Sequence, residues 1–196
     1  VPAPKVIQVF EPGSDIGEAF LMNRIPGQTI ARKILRDDDY RIAREKLTHQ
    51  CGAALAAIHA IPTADLPDLP TSGGLDQLEK YETIYRAFNL PRPVFELAIA
   101  WLKSNVPSAV PPVLVHGDFR LGNLIVDSDG LAAVLDWELA HLGDPREDIA
   151  WLCVNSWRFG QSQNRVGGFG HLDDLLTTYE ASGGRKFASD EIDWWE

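Results

Sequence analysis

The sequence predicts an α+β fold, and three observations carry that prediction. A β-hairpin opens the chain, a long helical stretch follows, and a second group of short strands sits near the middle before the pattern turns helical again. Helices and strands thus come in separate blocks, rather than alternating one by one as a parallel sheet requires.

The first hairpin pairs Val6-Ile7-Gln8-Val9-Phe10 with a returning strand over Ala19–Ile25. Glu11-Pro12-Gly13-Ser14-Asp15 is the turn, because Pro fixes φ and Gly tolerates positive φ. Pro26-Gly27 stops the second strand. A helix is expected from about Asp38 to Ile61, where Leu47, Cys51, Leu55 and Ile58 recur at helical spacing behind the acidic residues Asp37–Asp39 and ahead of Pro62. Thr63–Gly74 is a linker. Helices are expected over about Leu75–Asn89 and Pro93–Asn105, and Pro107–Pro112 breaks the pattern. Val113-Leu114-Val115 is a short strand running into His116. Leu124-Ile125-Val126 and Leu131–Leu135 form a hairpin closed by Asp127-Ser128-Asp129-Gly130. Helices follow over about Pro145–Phe159 and Leu172–Ala181, with a last one starting near Asp190.

The chain has 196 residues and is 45% apolar, enough for one domain or one large lobe with a hydrophobic core. Its formal net charge of −10 argues against a nucleic-acid or anionic-membrane partner, which needs positive charge. No run of about 18 apolar residues is present, so no membrane span is expected. Cys51 and Cys153 are far apart and not spaced for zinc. They read as buried free thiols in a cytoplasmic or other reducing compartment.

Chemistry concentrates between residues 116 and 138. Asp118 follows the first of the central strands, Asn123 precedes the second, and Asp136 ends the third. The hairpin sets Asn123 and Asp136 at its open end, with Asp118 beside them. Such hard oxygen donors suit Mg²⁺, which commonly takes one or two protein ligands plus substrate phosphates.

His116-Gly117-Asp118-Phe119-Arg120-Leu121-Gly122-Asn123, followed by Asp136-Trp137-Glu138, resembles the aminoglycoside phosphotransferase-like family, which shares the protein-kinase fold. Asp118 and Asn123 keep the offset of five residues found in the kinase catalytic loop, and Asp136-Trp137-Glu138 stands where kinases have their metal-binding segment. The continuation to Gly143-Asp144-Pro145 and Asp148 resembles the branch that partners acyl-CoA dehydrogenases. The resemblance implies an ATP- and Mg²⁺-dependent kinase acting on a hydroxyl of a small molecule, with possible substrates among hydroxyacyl or lipid-related metabolites and aminoglycoside-like compounds, and an acyl-CoA dehydrogenase domain as a possible associate in the parent protein. It implies Asp118 as the group that receives the substrate hydroxyl proton, Arg120 as a contact of the transferred phosphate, and Asn123 and Asp136 as metal ligands. Backbone groups of Asn23, Arg24 and Ile25 would meet adenine, and Ile125 would pack beneath it. It also divides the chain into residues 1–27, the end of an N-terminal lobe and its hinge, and residues 28–196, a C-terminal catalytic lobe with its catalytic loop at 116–123 and metal segment at 136–138.

The Gly-rich phosphate loop, the strand Lys and its helical Glu partner of the family have no counterpart here, since Lys5 is too near the hinge. The chain is therefore expected to be a piece of a longer kinase, with little activity alone. A nucleotide-binding pseudokinase is the alternative. A metal-dependent hydrolase using His116, Asp118 and Asp136 would need further His ligands. Other residues read as structural: His116 as a prop of the loop, His59 as a packed or capping residue, Asp144 with Pro145 and Glu147 as a capping box, Asp148 as a tie to the loop, and Trp151 as core. Trp157 divides evenly between core and pocket, and Arg158 and Arg165 are candidates to meet an anionic substrate.

Overall fold

Three antiparallel strand pairs and seven α-helices make up the chain, and the computed structural model describes all of residues 1–196. β1 (Val6–Phe10) pairs with β2 (Ala19–Met22) as expected. The second strand ends earlier than its apolar pattern suggests. Asn23 N–H still reaches the Lys5 carbonyl at 3.0 Å, but Pro26 has no N–H to continue a ladder and Gly27 turns at φ 148°. The chain then crosses to the central hairpin, where Gln28 and Val126 exchange backbone hydrogen bonds of 2.8 and 3.0 Å.

α1 (Ala31–Arg36) was not expected. It is shorter than the window over which helical periodicity can be read, and its start is marked by the Gln28 side-chain oxygen, which accepts from Thr29 N–H and Ile30 N–H. A 3-10 turn over Asp38–Tyr40 leads into α2 (Arg41–His59). Leu47, Cys51, Leu55 and Ile58 are fully buried there, and complete burial of a Leu or Ile side chain contributes about 1.5–3 kcal/mol. Burial pushes the thiols of Cys51 and Cys153 up to about 12, so both act as small apolar groups. α3 (Gly74–Ala87) and α4 (Pro93–Ser104) pack on each other at the periphery.

The central strands form two ladders. β4 (Leu124–Asp127) and β5 (Gly130–Val134) form the expected hairpin. β3 (Val113–Val115) pairs instead with β6 (His141–Gly143), a strand too short for its pattern to show in the sequence. α5 (Arg146–Cys153) is half the expected helix. Val154 is extended, a 3-10 turn covers Asn155–Arg158, and Phe159 takes a left-handed φ of 49°. Asn155 and Ser156 favour such turns over helix interiors, and Arg158 Nε satisfies the Cys153 carbonyl left at the break. α6 (Leu172–Ala181) lies against α2, closely enough that a Cβ at Gly52 would come within 2.8 Å of the Leu175 carbonyl oxygen. α7 (Ser189–Asp193) closes the described chain. No helix is long and apolar enough to cross a membrane.

Candidate active site

The loop between β3 and β4 is fastened at its start by one buried carboxylate. Asp148, in the first turn of α5, accepts from His116 N–H at 2.8 Å and Gly117 N–H at 2.9 Å, and its Oδ2 lies 3.2 Å from His59 Nε2. Burial alone would raise the Asp148 carboxyl, but the His59 hydrogen bond and charge and the His116 N–H outweigh it and hold the group below its ordinary range. His59 Nδ1 continues to the Tyr179 hydroxyl at 2.8 Å, so a polar chain links α5, α2 and α6. Asp148 thus does what the sequence suggested, and His59 proves to be its partner.

His116 is a prop. Its Nε2–H donates to the Leu135 carbonyl at 2.9 Å, and its Nδ1 accepts from Asp118 N–H at 3.1 Å. With both ring nitrogens engaged it has no lone pair for a metal, and no group of three or more His, Cys, Asp or Glu side chains assembles in the chain. Both facts remove the basis for the hydrolase reading.

The turn that follows brings Asp118 and Asn123 together. A 3-10 turn over Leu121–Asn123 swings the amide back, so that Asn123 Nδ2 donates to the Asp118 carbonyl at 3.0 Å and to Asp118 Oδ2 at 2.6 Å. Arg120 Nε donates to both carboxylate oxygens, at 2.9 and 3.1 Å. Trp151 Nε1 donates to Oδ1 at 2.6 Å. Arg120 shares its single N–H between the two oxygens, so three N–H groups make four contacts, two on each oxygen. An ionised carboxylate offers about four acceptor positions, so a further hydrogen bond needs the shared N–H to settle on one oxygen. The Arg120 guanidinium lies 4.7 Å from the centre of the Trp157 ring, and its terminal nitrogens have no acceptor in the chain. A Cβ at Gly122 would meet one of them, so any other residue there would require the end of the Arg120 side chain to shift.

Asn123 also ties the loop to the hairpin, since its carbonyl accepts from Leu135 N–H at 2.8 Å. The next residue, Asp136, sits at φ 67°, a left-handed backbone that costs a non-Gly residue about 1–2 kcal/mol and is typical of functional sites. Its carboxylate is exposed and accepts no hydrogen bond from the chain. Asn123 turns its Nδ2 toward Asp118, which leaves its side-chain oxygen on the other side of the amide. The Asn123 oxygen and the Asp136 carboxylate are hard donors whose number and type fit Mg²⁺.

The residues expected at a hinge divide. Asn23 N–H is committed to Lys5, and the Asn23 side-chain oxygen accepts from Lys5 N–H. The N–H groups of Arg24 and Ile25 have no partner in the chain. Ile125 is buried on β4, against the backbone at Gly27, where any side chain would strike it.

Trp151 departs from the expected core role. It is half-buried and touches the central carboxylate across 33 residues of sequence. The capping box also differs. Asp144 does accept from Arg146 N–H at 2.9 Å, but Glu147 turns to His141 Nε2 at 3.3 Å. Arg158 and Arg165 are taken up by Glu196 and, for Arg165, also Asp193. Beside the loop lies a cavity of about 560 Å³ whose wall includes Leu78, Tyr81, Leu139, Trp151, Trp194 and Trp195.

Known proteins resemble this chain in sequence and in shape. It is 35% identical over 162 residues to mouse acyl-CoA dehydrogenase family member 10, covering 79% of this chain but only 15% of the mouse protein. Viomycin phosphotransferase of Streptomyces vinaceus is 28% identical over 152 residues, covering 70% of this chain and 50% of that protein. The solved GDP complex of aminoglycoside 2′-phosphotransferase-IIIa superimposes with a TM-score of 0.72 at 16% identity, over all of this chain and 65% of that one. A choline/ethanolamine kinase family protein from Mesorhizobium loti does so with a TM-score of 0.64 at 18% identity, over 98% of this chain and 60% of that one. These likenesses show the protein-kinase-like fold of the aminoglycoside phosphotransferases. The model of the APH phosphotransferase enzyme family matches residues 1–184, nearly the whole length over which the loop, hinge and hairpin have been traced, and the chain belongs to that family.

Proposed function

We propose that this chain is the catalytic lobe of an ATP- and Mg²⁺-dependent kinase that phosphorylates a hydroxyl group of a small molecule. The observation that carries this reading is the Asp118 carboxylate, fixed by three N–H donors of which the Arg120 N–H is shared between both oxygens, beside the free oxygens of Asn123 and Asp136. In this mechanism the shared Arg120 N–H settles on one oxygen, and the position it leaves accepts the substrate hydroxyl. The substrate oxygen bonds to the γ-phosphorus as the bond to the β–γ bridging oxygen breaks, ADP departs, and the hydroxyl proton passes to Asp118 late in transfer. The unpaired nitrogens of Arg120 meet the charge on the phosphoryl oxygens. Asn123 and Asp136 would hold Mg²⁺, which supplies charge neutralisation at the phosphates. The free N–H groups of Arg24 and Ile25, with the Asn23 carbonyl, offer a backbone edge for adenine above Ile125.

The cavity beside Trp151 supports an acceptor with an apolar body. Tyr81, Trp151, Trp194, Trp195 and the aliphatic residues Leu78 and Leu139 give it an apolar wall, and Gln77, Lys80, Glu138, His141 and Glu147 make the rest of the lining polar. While Glu138 and Glu147 keep an aminoglycoside-like cation as the alternative acceptor, the apolar wall supports the hydroxyacyl or lipid-related class. The relative named as an acyl-CoA dehydrogenase supports the same direction and an acyl-CoA dehydrogenase domain as a partner in the parent protein. The test is turnover of ATP by the full-length gene product against hydroxylated metabolites, with Mg²⁺ present. Asp118→Ala should lower kcat by about 10²–10⁴-fold while nucleotide still binds. Unchanged turnover in that variant refutes the role of Asp118, and ATP binding without turnover in the wild type supports a pseudokinase instead.

A further inference from the structure

We propose that Trp151 is a positioning residue for phosphoryl transfer: its indole N–H sets the orientation of the Asp118 carboxylate, and Trp157 steadies the adjoining Arg120. This inference rests on the proposed kinase reading.

The geometry is that of a clamp. Trp151 lies three residues after Asp148, so the two project from the same face of α5 about one turn apart. Asp148 fastens the start of the loop through His116 and Gly117, and Trp151 reaches the carboxylate itself. The helix is in turn well seated. Arg146 is buried and bonded to Asp144 at 2.9 and 2.6 Å and to the Ser108 carbonyl at 2.7 Å. At 2.6 Å from an ionised oxygen, the indole makes a short, charge-assisted hydrogen bond, stronger than a neutral one.

Trp157 completes the arrangement. Its ring meets Trp151 edge-on, with centroids 5.7 Å apart and planes at 63°, and its face carries the Arg120 guanidinium. Trp157 Nε1 is buried without an acceptor, so ring contacts rather than a hydrogen bond fix its place. Arg120 donates to both oxygens of Asp118 and would draw the carboxylate toward itself if nothing opposed it. Asn123 opposes it at Oδ2 and Trp151 at Oδ1. Loss of the indole N–H removes one of these two restraints, and the oxygen that would accept the substrate hydroxyl turns away from it. Transfer is sensitive to such motion, since a 1 Å misplacement costs about 10²-fold in rate.

The test compares Trp151→Phe, which keeps an aromatic wall but no N–H, with wild type in the full-length gene product. The expected result is a fall in kcat of about 10- to 100-fold with KM for ATP and acceptor within about twofold. A rise in KM at unchanged kcat overturns the proposal, because it would make Trp151 a wall of the cavity and nothing more. A second measurement does not depend on that variant. In ¹H–¹⁵N spectra, the assigned Trp151 Nε1–H resonance should lie downfield and move upfield in Asp118→Ala. A resonance that stays in place shows that the bond to Asp118 is not made and overturns the proposal. Absence of turnover in the wild type counts against the kinase reading, while a resonance that still moves upholds the indole–carboxylate bond.

Discussion

Replacing Asp148 with Asn changes one oxygen to an amide and leaves the volume of the side chain alone, so it isolates what the carboxylate does. Oδ2 accepts from His116 N–H and His59 Nε2, and Oδ1 accepts from Gly117 N–H. A single amide oxygen can serve the first pair. The NH₂ group must then face Gly117 N–H, donor against donor. One hydrogen bond to a charged acceptor is lost, at about 1.5–3 kcal/mol, and a buried donor is left unpaired, so the expected loss of stability is about 2–4 kcal/mol. Against a typical total of about 5–15 kcal/mol that is severe but survivable. Urea unfolding at neutral pH should show a midpoint lower by about 1–2 M at unchanged slope. The sign of the pH dependence follows from the carboxyl being held below its ordinary range. The stability it contributes is fully present above about pH 3.9 and is lost as pH falls below that toward the depressed folded value, so the gap between variant and wild type should close in acid. A midpoint shift worth less than about 1 kcal/mol at neutral pH would refute the claim that Asp148 anchors the loop.

Gly117→Ala should be worse for catalysis than for folding. At φ 81° an Ala costs about 1–2 kcal/mol in backbone strain, and its Cβ would lie 2.5 Å from the Leu139 carbonyl oxygen, forcing the loop to shift next to Asp118. Paired measurements of unfolding midpoint and kcat should show a modest loss in the first and a drop of about 10²-fold in the second. The His141–Glu147 pair titrates in the opposite sense to Asp148. The Glu147 hydrogen bond raises the His141 imidazole, with the Leu139 carbonyl adding to it and burial working against it. Its contribution is fully present below about pH 6.5 and is lost as pH rises through the higher folded value, so unfolding midpoints should fall on going alkaline, and His141→Gln should flatten that slope.

What the sequence disclosed depended on how far apart the interacting residues lie. The β4–β5 turn was legible because it is local: Asp127 Oδ1 accepts from Asp129 N–H and Gly130 N–H within four residues. The offset of Asp118 and Asn123 was legible for the same reason, since one short turn joins them. Trp151 was not. Its apolar neighbours Ile149, Ala150, Leu152 and Cys153 are all buried, and in that run an indole reads as one more core residue. Only the fold turns its nitrogen toward a carboxylate 33 positions away. Glu147 misled for a related reason. Its position suits a capping box, but the competing donor, His141 Nε2–H, sits on a three-residue strand that no pattern announces.

The hydrogen bonds divide the site into two rigid parts, and the division has consequences under the proposed function. The segment expected to be the hinge is seated on β4 through Gln28 and Val126, β4 begins just after Asn123, Asn123 pairs with Leu135, and Asp136 follows. The backbone edge for the nucleotide and both proposed metal ligands therefore move as one piece. Asp118 belongs to the other piece, fastened to α5 through Asp148 and Trp151. Three side-chain bonds, two from Asn123 to Asp118 and one from His116 to Leu135, are staples between them. Changes on α5 should accordingly slow transfer at unaltered nucleotide affinity, whereas changes at the hinge or in the hairpin should weaken nucleotide binding and transfer together. The arrangement also explains why Asn123 is a residue with both a donor and an acceptor end: its amide holds the acceptor base while its oxygen faces the metal, a pairing that neither Asp nor Leu at that position would provide.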